Sequence, residues 1–246
     1  MNITYSFILT FIAGLSTLLG YLTIFIKNKN SNYFLNICLS FTIGIMLSIS
    51  IIDLIPESYK SIIKTFKIIP SILIILNFIN IGVIFSMLID KIFSHKSNQL
   101  YHIGIISTIA IIFHNIPEGI ATFITSNNNI HLGSNLALAI ALHNIPEGIC
   151  IAIPIYYSTK NKKKAFNYTF IAALAEPFGA FISYLFLTPY INTLTLGMLY
   201  SLIAGIMIQI ILYELIPIII KFKKYFNSFL SFLLGFTLIL ITILLK

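Results

Sequence analysis

Residues 110–120 read AIIFHNIPEGI and residues 139–149 read AIALHNIPEGI, so the hexapeptide HNIPEG occurs twice, 29 residues apart. Each copy lies inside a long apolar run, with His114, Asn115 and Glu118 in the first and His143, Asn144 and Glu147 in the second. About 20 apolar residues suffice to cross a bilayer's hydrocarbon core as a helix. Working outward and breaking the chain at polar clusters gives eight such runs, at 3–26, 34–57, 68–93, 101–125, 133–158, 165–187, 194–220 and 225–245. They are too long and too continuous for barrel strands, and backbone groups in lipid must be satisfied within helices or a closed barrel. The predicted fold is all-α, a polytopic membrane protein with eight transmembrane helices in one bundle. No linker is long enough for a second domain, so residues 1–246 form one transmembrane domain.

Composition points the same way. Of 246 residues, 58% are hydrophobic and 9% charged, against about 25% charged in a soluble domain. A soluble enzyme, a disordered chain and a nucleic-acid binder are excluded. The net charge of +8 comes from lysines between the apolar runs, where they act as topology signals. With the N-terminus outside, 11 lysines fall in inner loops and 4 outside. Both termini are therefore expected outside the cell membrane. The first run lacks a basic leader and a small-residue cleavage site, so it reads as a first span. Cys38 and Cys150 sit far apart in apolar runs and read as small apolar fillers.

A wider repeat surrounds the doubled hexapeptide. Gly44-Ile45-Met46 is followed, after six intervening residues, by Asp53-Leu54-Ile55-Pro56, and Gly205-Ile206-Met207 likewise by Glu214-Leu215-Ile216-Pro217. One motif closes the second span and the other the seventh, so helices 1–3 and 6–8 form an inverted repeat around helices 4–5. Inverted repeats with broken helices are typical of carriers that alternate access about a central site.

The seven acids then need an account. Glu118, Glu147 and Glu176 fall near mid-depth, where a charge costs about 2.5–3.5 kcal/mol on insertion scales. No lysine lies in those helix centres to neutralise them. His and Glu at i and i+4 share a helix face. Two such faces opposed present two imidazoles and two carboxylates, a set suited to a divalent transition metal. Two ionised glutamates also neutralise one divalent ion. Asn115, Asn144 and Glu176 add oxygen ligands for a second, oxygen-rich site. Pro117 and Pro146 free the carbonyls of Phe113 and Leu142. Asp53, Glu57 and Glu214 stand toward opposite mouths, as entry and exit ligands or as solvated helix ends. Asp90 reads as a solvated terminus. His95, His102 and His131 read as loop histidines, with His95 and His102 placed to meet released metal.

These motifs, with Ala175-Glu176-Pro177 and short loops throughout, resemble the ZIP (zinc/iron-regulated transporter-like) family, most closely its bacterial ZupT-type branch. The likeness covers essentially the whole chain. It implies a multi-pass protein of the inner or plasma membrane that imports zinc, and also iron, manganese, cobalt or cadmium, through a binuclear mid-membrane site. It implies a first metal held by His114, Glu118, His143 and Glu147. It implies a second held by Asn115, Asn144 and Glu176 with the shared glutamates. Asn144 stands where many members carry an acid, which makes the second site less anionic. The metal would be cargo and not a cofactor, and the remaining partner is the lipid bilayer, with a homodimer compatible with the sequence. Two rivals remain open. An exporter or channel would use the same ligands. An intramembrane zinc hydrolase would need a general base, yet each His is followed by Asn where HExxH has Glu.

Overall fold

The computed structural model describes residues 3–26, 31–93, 99–187 and 192–244. No strand occurs among them. Eight helices follow in order: α1 (Ile3–Phe25), α2 (Asn32–Ile62), α3 (Ile68–Phe93), α4 (Gln99–Asn128), α5 (Ile130–Thr159), α6 (Lys162–Phe186), α7 (Thr193–Phe222) and α8 (Tyr225–Leu244). Seven of them, α1 to α7, are long and apolar enough to cross a membrane, and Tyr225–Ile241 within α8 is a shorter apolar helix.

The polar breaks act as caps. Asn129 is the whole connection between α4 and α5, shorter than the Ser126–Asn129 break expected, and its Oδ1 accepts from the Leu132 N–H at 3.1 Å. Lys160 ends α5 in the left-handed region at φ 53°, and Asn161 then caps α6 by accepting from the Lys164 N–H at 3.0 Å. Such side-chain acceptors satisfy amide groups that a helix start leaves free.

Prolines break helices in places the hexapeptides did not indicate. α4 and α5 run unbroken through Pro117 and Pro146. The interruptions fall in α2, α6 and α7. Pro56 and Pro217 lack an N–H, and just before each the helix widens into a π turn, Ile49–Leu54 in α2 and Ile210–Leu215 in α7. The N–H of Ile55 reaches the carbonyl of Ser50, and that of Ile216 reaches Ile211, each five residues back. The matched D/E-L-I-P motifs therefore build matched turns, and Asp53 and Glu214 ride on them. α2 continues past Pro56 to Ile62, which puts Glu57 inside the helix.

The helices pack as two groups. α1, α4, α5 and α6 form one, in which α1 packs along α5, α5 along α4, and α4 along the second half of α6. α2, α3, α7 and α8 form the other, with α8 along α2 and α3 along α7. Glycines set these contacts. A Cβ on Gly148 of α5 would stand 1.9 Å from the Thr17 carbonyl oxygen of α1, and one on Gly119 of α4 would stand 2.0 Å from that of Glu176 in α6. In the second group, Gly44 meets Phe232 at 2.1 Å and Gly82 meets Leu202 at 2.0 Å. With no water-driven force between helices in lipid, small residues that admit close backbone contact hold such pairs together. Each of these contacts lies within a group. The boundary between the groups is filled instead by bulky apolar side chains, including Met46, Ile49, Ile106, Ile151 and Met207, all buried.

Candidate metal centre

The doubled hexapeptide becomes one cluster because α4 and α5 lie side by side with their i, i+4 faces opposed. His114 Nε2 is 3.3 Å from Oε1 of its own-helix partner Glu118 and 3.3 Å from Oε1 of Glu147. His143 Nε2 is 3.0 Å from Glu118 Oε1, and the two imidazole centroids are 6.3 Å apart. All four residues are buried. Ligand atoms of His114, Glu118 and His143 lie within 4.8 Å of one another, close enough to grip a single ion.

The second tier is built across three helices. Asn144 Nδ2 donates to the Ala13 carbonyl of α1 at 2.9 Å and to Glu176 Oε1 of α6. Ser16 Oγ ties α1 to the same place by donating to the Ala13 and Ala141 carbonyls at 2.7 and 2.8 Å. Asn115, turned so that its amide nitrogen faces acceptors, donates to Glu147 Oε2 at 3.2 Å and to the Ile111 carbonyl at 3.1 Å. Both asparagines thus offer nitrogen, not oxygen, to the glutamates beside them.

Several polar atoms here are left over. Among the described residues, His114 Nδ1, Glu118 Oε2, Glu176 Oε2 and Asn144 Oδ1 are buried without a hydrogen-bond partner. Each such atom costs about 1–3 kcal/mol, more where charged. Imidazole and carboxylate are the donor set of zinc and its neighbours. A bound cation would satisfy Glu118 Oε2 and Glu176 Oε2, which no hydrogen bond reaches among the described residues.

A cavity of about 360 Å³ opens onto this cluster. Asp53 and Glu57 of α2 and Tyr200 of α7 line one side, and Thr125, Leu136 and Ile140 of α4 and α5 the other, with Glu118 and His143 at its end. Glu57 also pairs with Lys60 at 2.7 Å on the surface, so it serves both as cavity lining and as solvated ion pair. Toward the opposite face, Ile106, Ile111, Ile151, Ile206 and Ile210 pack as continuous buried core.

Beyond that packing lies a second cluster. Asp90 at the end of α3, His102 near the start of α4 and Glu214 on the α7 π turn bring ligand atoms within 4.8 Å of one another. His102 Nε2 hydrogen-bonds Asp90 Oδ1 across the boundary between the two helix groups. His102 precedes His114 by 12 residues, about 18 Å along α4. This corrects the reading of Asp90 as a solvated terminus and of His102 as a plain loop histidine: both are half-buried and paired. His131 is exposed, as expected. His95 lies outside the described residues. Cys38 and Cys150 are buried free thiols, as expected.

The model of a family described as ZIP Zinc transporter matches residues 94–243. A protein called zinc transporter ZupT in Streptococcus mutans is 37% identical over 98% of this chain and 97% of its own length. One of the same name in Clostridium perfringens is 34% identical over 99% of this chain and 96% of its own. The chain belongs to the ZIP family.

As a ZIP protein it is a multi-pass transporter of the cell membrane, not an enzyme, and divalent metal is its cargo, not its cofactor. The hydrolase reading ends here. The ZIP hexapeptides supply His114, Glu118, His143 and Glu147 as one cluster, and α6 adds Glu176. Sequence reasoning missed Asp90 and His102 as partners of Glu214, because Glu214 lies more than 100 residues away on another helix. It also missed Ala13, whose contribution is a backbone carbonyl and leaves no side-chain signature.

Proposed function

We propose that this ZIP protein imports divalent transition metals, zinc foremost and also iron, manganese, cobalt or cadmium, as a single eight-span transporter domain with both termini outside. The observation that carries the reading is the cavity that leads from Asp53 and Glu57 to Glu118 and His143 and ends there. A hydrated cation enters past the two carboxylates and exchanges water for imidazole and carboxylate. It is held first by His114, Glu118, His143 and Glu147. Asn115, Asn144 and Glu176, with the shared glutamates, hold a second ion; this requires Asn144 to turn its unpartnered Oδ1 inward.

Release then needs the buried isoleucine packing to open toward Asp90, His102 and Glu214. The glycine contacts support a rigid-body route, since they bind α1, α4, α5 and α6 to one another and α2, α3, α7 and α8 to one another. Rocking one group against the other would close the first cavity and open a path to Glu214, alternating access around a fixed site. The paired π turns at Asp53 and Glu214 support reading helices 1–3 and 6–8 as inverted repeats.

Flux of radioactive zinc into proteoliposomes of known protein orientation, with and without a pH gradient, tests the proposal. Saturable uptake from the Asp53 face toward the Glu214 face is expected. Flux only in the opposite sense would mean an exporter, and non-saturable flux in both senses a channel.

A further inference from the structure

α3 turns one face to the rest of the chain and the other outward. On the packed face every polar group is satisfied: Ser86 Oγ donates to Gln209 Oε1 of α7 at 2.6 Å, and Ser71 Oγ to the Lys67 carbonyl at 2.9 Å. The outward face carries Leu73, Asn77, Asn80, Ile84 and Met87, all exposed. Asn77 Nδ2 donates to the Leu73 carbonyl of its own helix at 2.8 Å, which leaves its Oδ1 and its second N–H unused. The Asn80 amide makes no hydrogen bond among the described residues.

Both amides lie deep. Asn80 stands 13 residues after Lys67 and 11 before Lys91, about 20 and 17 Å of helix. That is near the middle of a hydrocarbon core about 30 Å thick, and Asn77 is one turn away. Acyl chains offer an amide no partner, and a polar group left unpaired in such a medium is costly. Hydrogen bonds from Asn to a neighbouring helix are the ordinary remedy. The five outward positions are spaced 4, 3, 4 and 3 residues apart. That is the 3.5-residue repeat of helices wound left-handedly about each other, and a central Asn in such a seam fixes partner and register. A helix that faces only lipid needs no such repeat.

The partner that fits is a second copy of the chain. Copies enter the bilayer in one orientation, because the same lysines orient each. Two α3 helices face to face are then parallel, so Asn77 meets Asn77 and Asn80 meets Asn80 at equal depth. An amide carries both donor and acceptor, which makes each position complementary to itself, and a twofold axis closes the set. An unrelated helix would need matching amides at the same two levels. We propose that α3 is the contact surface of a homodimer. Leu73, Ile84 and Met87 pack across the axis, and the Asn77 and Asn80 amides pair between copies. The surface lies apart from the cavity that leads to Glu118 and His143, so the dimer does not depend on how metal is carried.

Oxidative cross-linking of the full chain in membranes, with Cys38 and Cys150 replaced by alanine, reads the surface. Ile84→Cys should form a disulfide-linked dimer, and Ile12→Cys, as exposed on α1, should not. Single-molecule photobleaching in liposomes of graded protein density gives the association strength. Asn77→Leu with Asn80→Leu should raise the dissociation constant at least about tenfold, with a size-exclusion profile to confirm the fold. Should that variant fail to fold, the Ile84→Cys result still decides. Equal cross-linking at both cysteine positions would mark random collision and overturn the proposal. So would a chain that is monomeric at every density, or a dimer as tight in the leucine variant as in the unaltered chain.

Discussion

The Nε2 atom of His114 lies 3.3 Å from Oε1 of Glu147, a residue of the other hexapeptide copy on the neighbouring helix. His114 is thus shared between a carboxylate of its own helix and one of the next, and Glu118 between two imidazoles, since His143 reaches it at 3.0 Å. Neither hexapeptide is a site alone. The crossed pairs link the four residues in a chain, Glu147–His114–Glu118–His143, and a cation among them would replace nitrogen–oxygen contacts with nitrogen–metal and oxygen–metal ones.

Removing either imidazole should therefore damage the whole cluster. His114→Ala and His143→Ala are each expected to weaken zinc binding by at least about 100-fold, since even outer-shell changes at metal sites cost 10–100-fold. Isothermal titration in detergent, with a size-exclusion profile to confirm the fold, checks this. Unchanged affinity in either variant would remove that histidine from the ligand set.

Asn144 holds Glu176 and the Ala13 carbonyl through one amide nitrogen. In Asn144→Asp that donor becomes a carboxylate facing an oxygen and another carboxylate. The metal-free protein should lose on the order of 2 kcal/mol of stability, and zinc should restore it while raising the bound stoichiometry toward two. Thermal unfolding with and without zinc gives the comparison. A metal-free variant as stable as the unaltered chain would contradict the hydrogen-bond assignment.

Backbone contact at Gly148 leaves no room for a methyl group, with the Thr17 carbonyl oxygen 1.9 Å from where a Cβ would stand. Gly148→Ala must separate α1 from α5, at a cost of about 1–3 kcal/mol or more. At Gly197 the nearest atoms, Ile62 Cγ1 and Ser61 Cβ, stand farther off, at 2.8 and 2.9 Å. Gly197→Ala should be the milder change. Melting temperatures in detergent rank the two, and the reverse order would refute the packing argument.

Water should reach one side of the metal cluster and not the other. With Cys38 and Cys150 replaced by alanine, Thr125→Cys in the cavity should react quickly with a membrane-impermeant thiol reagent. Ile153→Cys, fully buried in the core, should not. Equal labelling of both positions would mean that the chain rests in a different state.

Much of this protein is legible in its sequence. The apolar runs gave helices within a few residues of where they lie, as at 68–93. The ends slipped where capping decided them, because Asn129 alone turns the chain between α4 and α5. The pairing of His114 with Glu118 on one helix face was legible because i, i+4 spacing is local. Asp90 and His102 were not, since nothing in their own neighbourhood distinguishes a solvated end from one that meets Glu214.

The prolines show the same division. A missing N–H guarantees a lost hydrogen bond at each, and that much is local chemistry. Whether the helix answers with a π turn, as before Pro56 and Pro217, or passes through unbroken, as at Pro117 and Pro146, depends on which neighbours pack against it.

Sequence by itself determined that the chain lies in a membrane, that three of its scarce carboxylates fall within apolar helices, and that the hexapeptides put a His and a Glu on one face of each of two helices. These follow from composition and from the 3.6-residue turn, which act over short stretches. Tertiary structure decided that the glycines hold two helix groups, that the cavity opens on the Asp53 side, and that Asp90, His102 and Glu214 meet beyond it. Those depend on how helices far apart in the chain approach one another, and that is set by the fit of whole surfaces and not by any one residue.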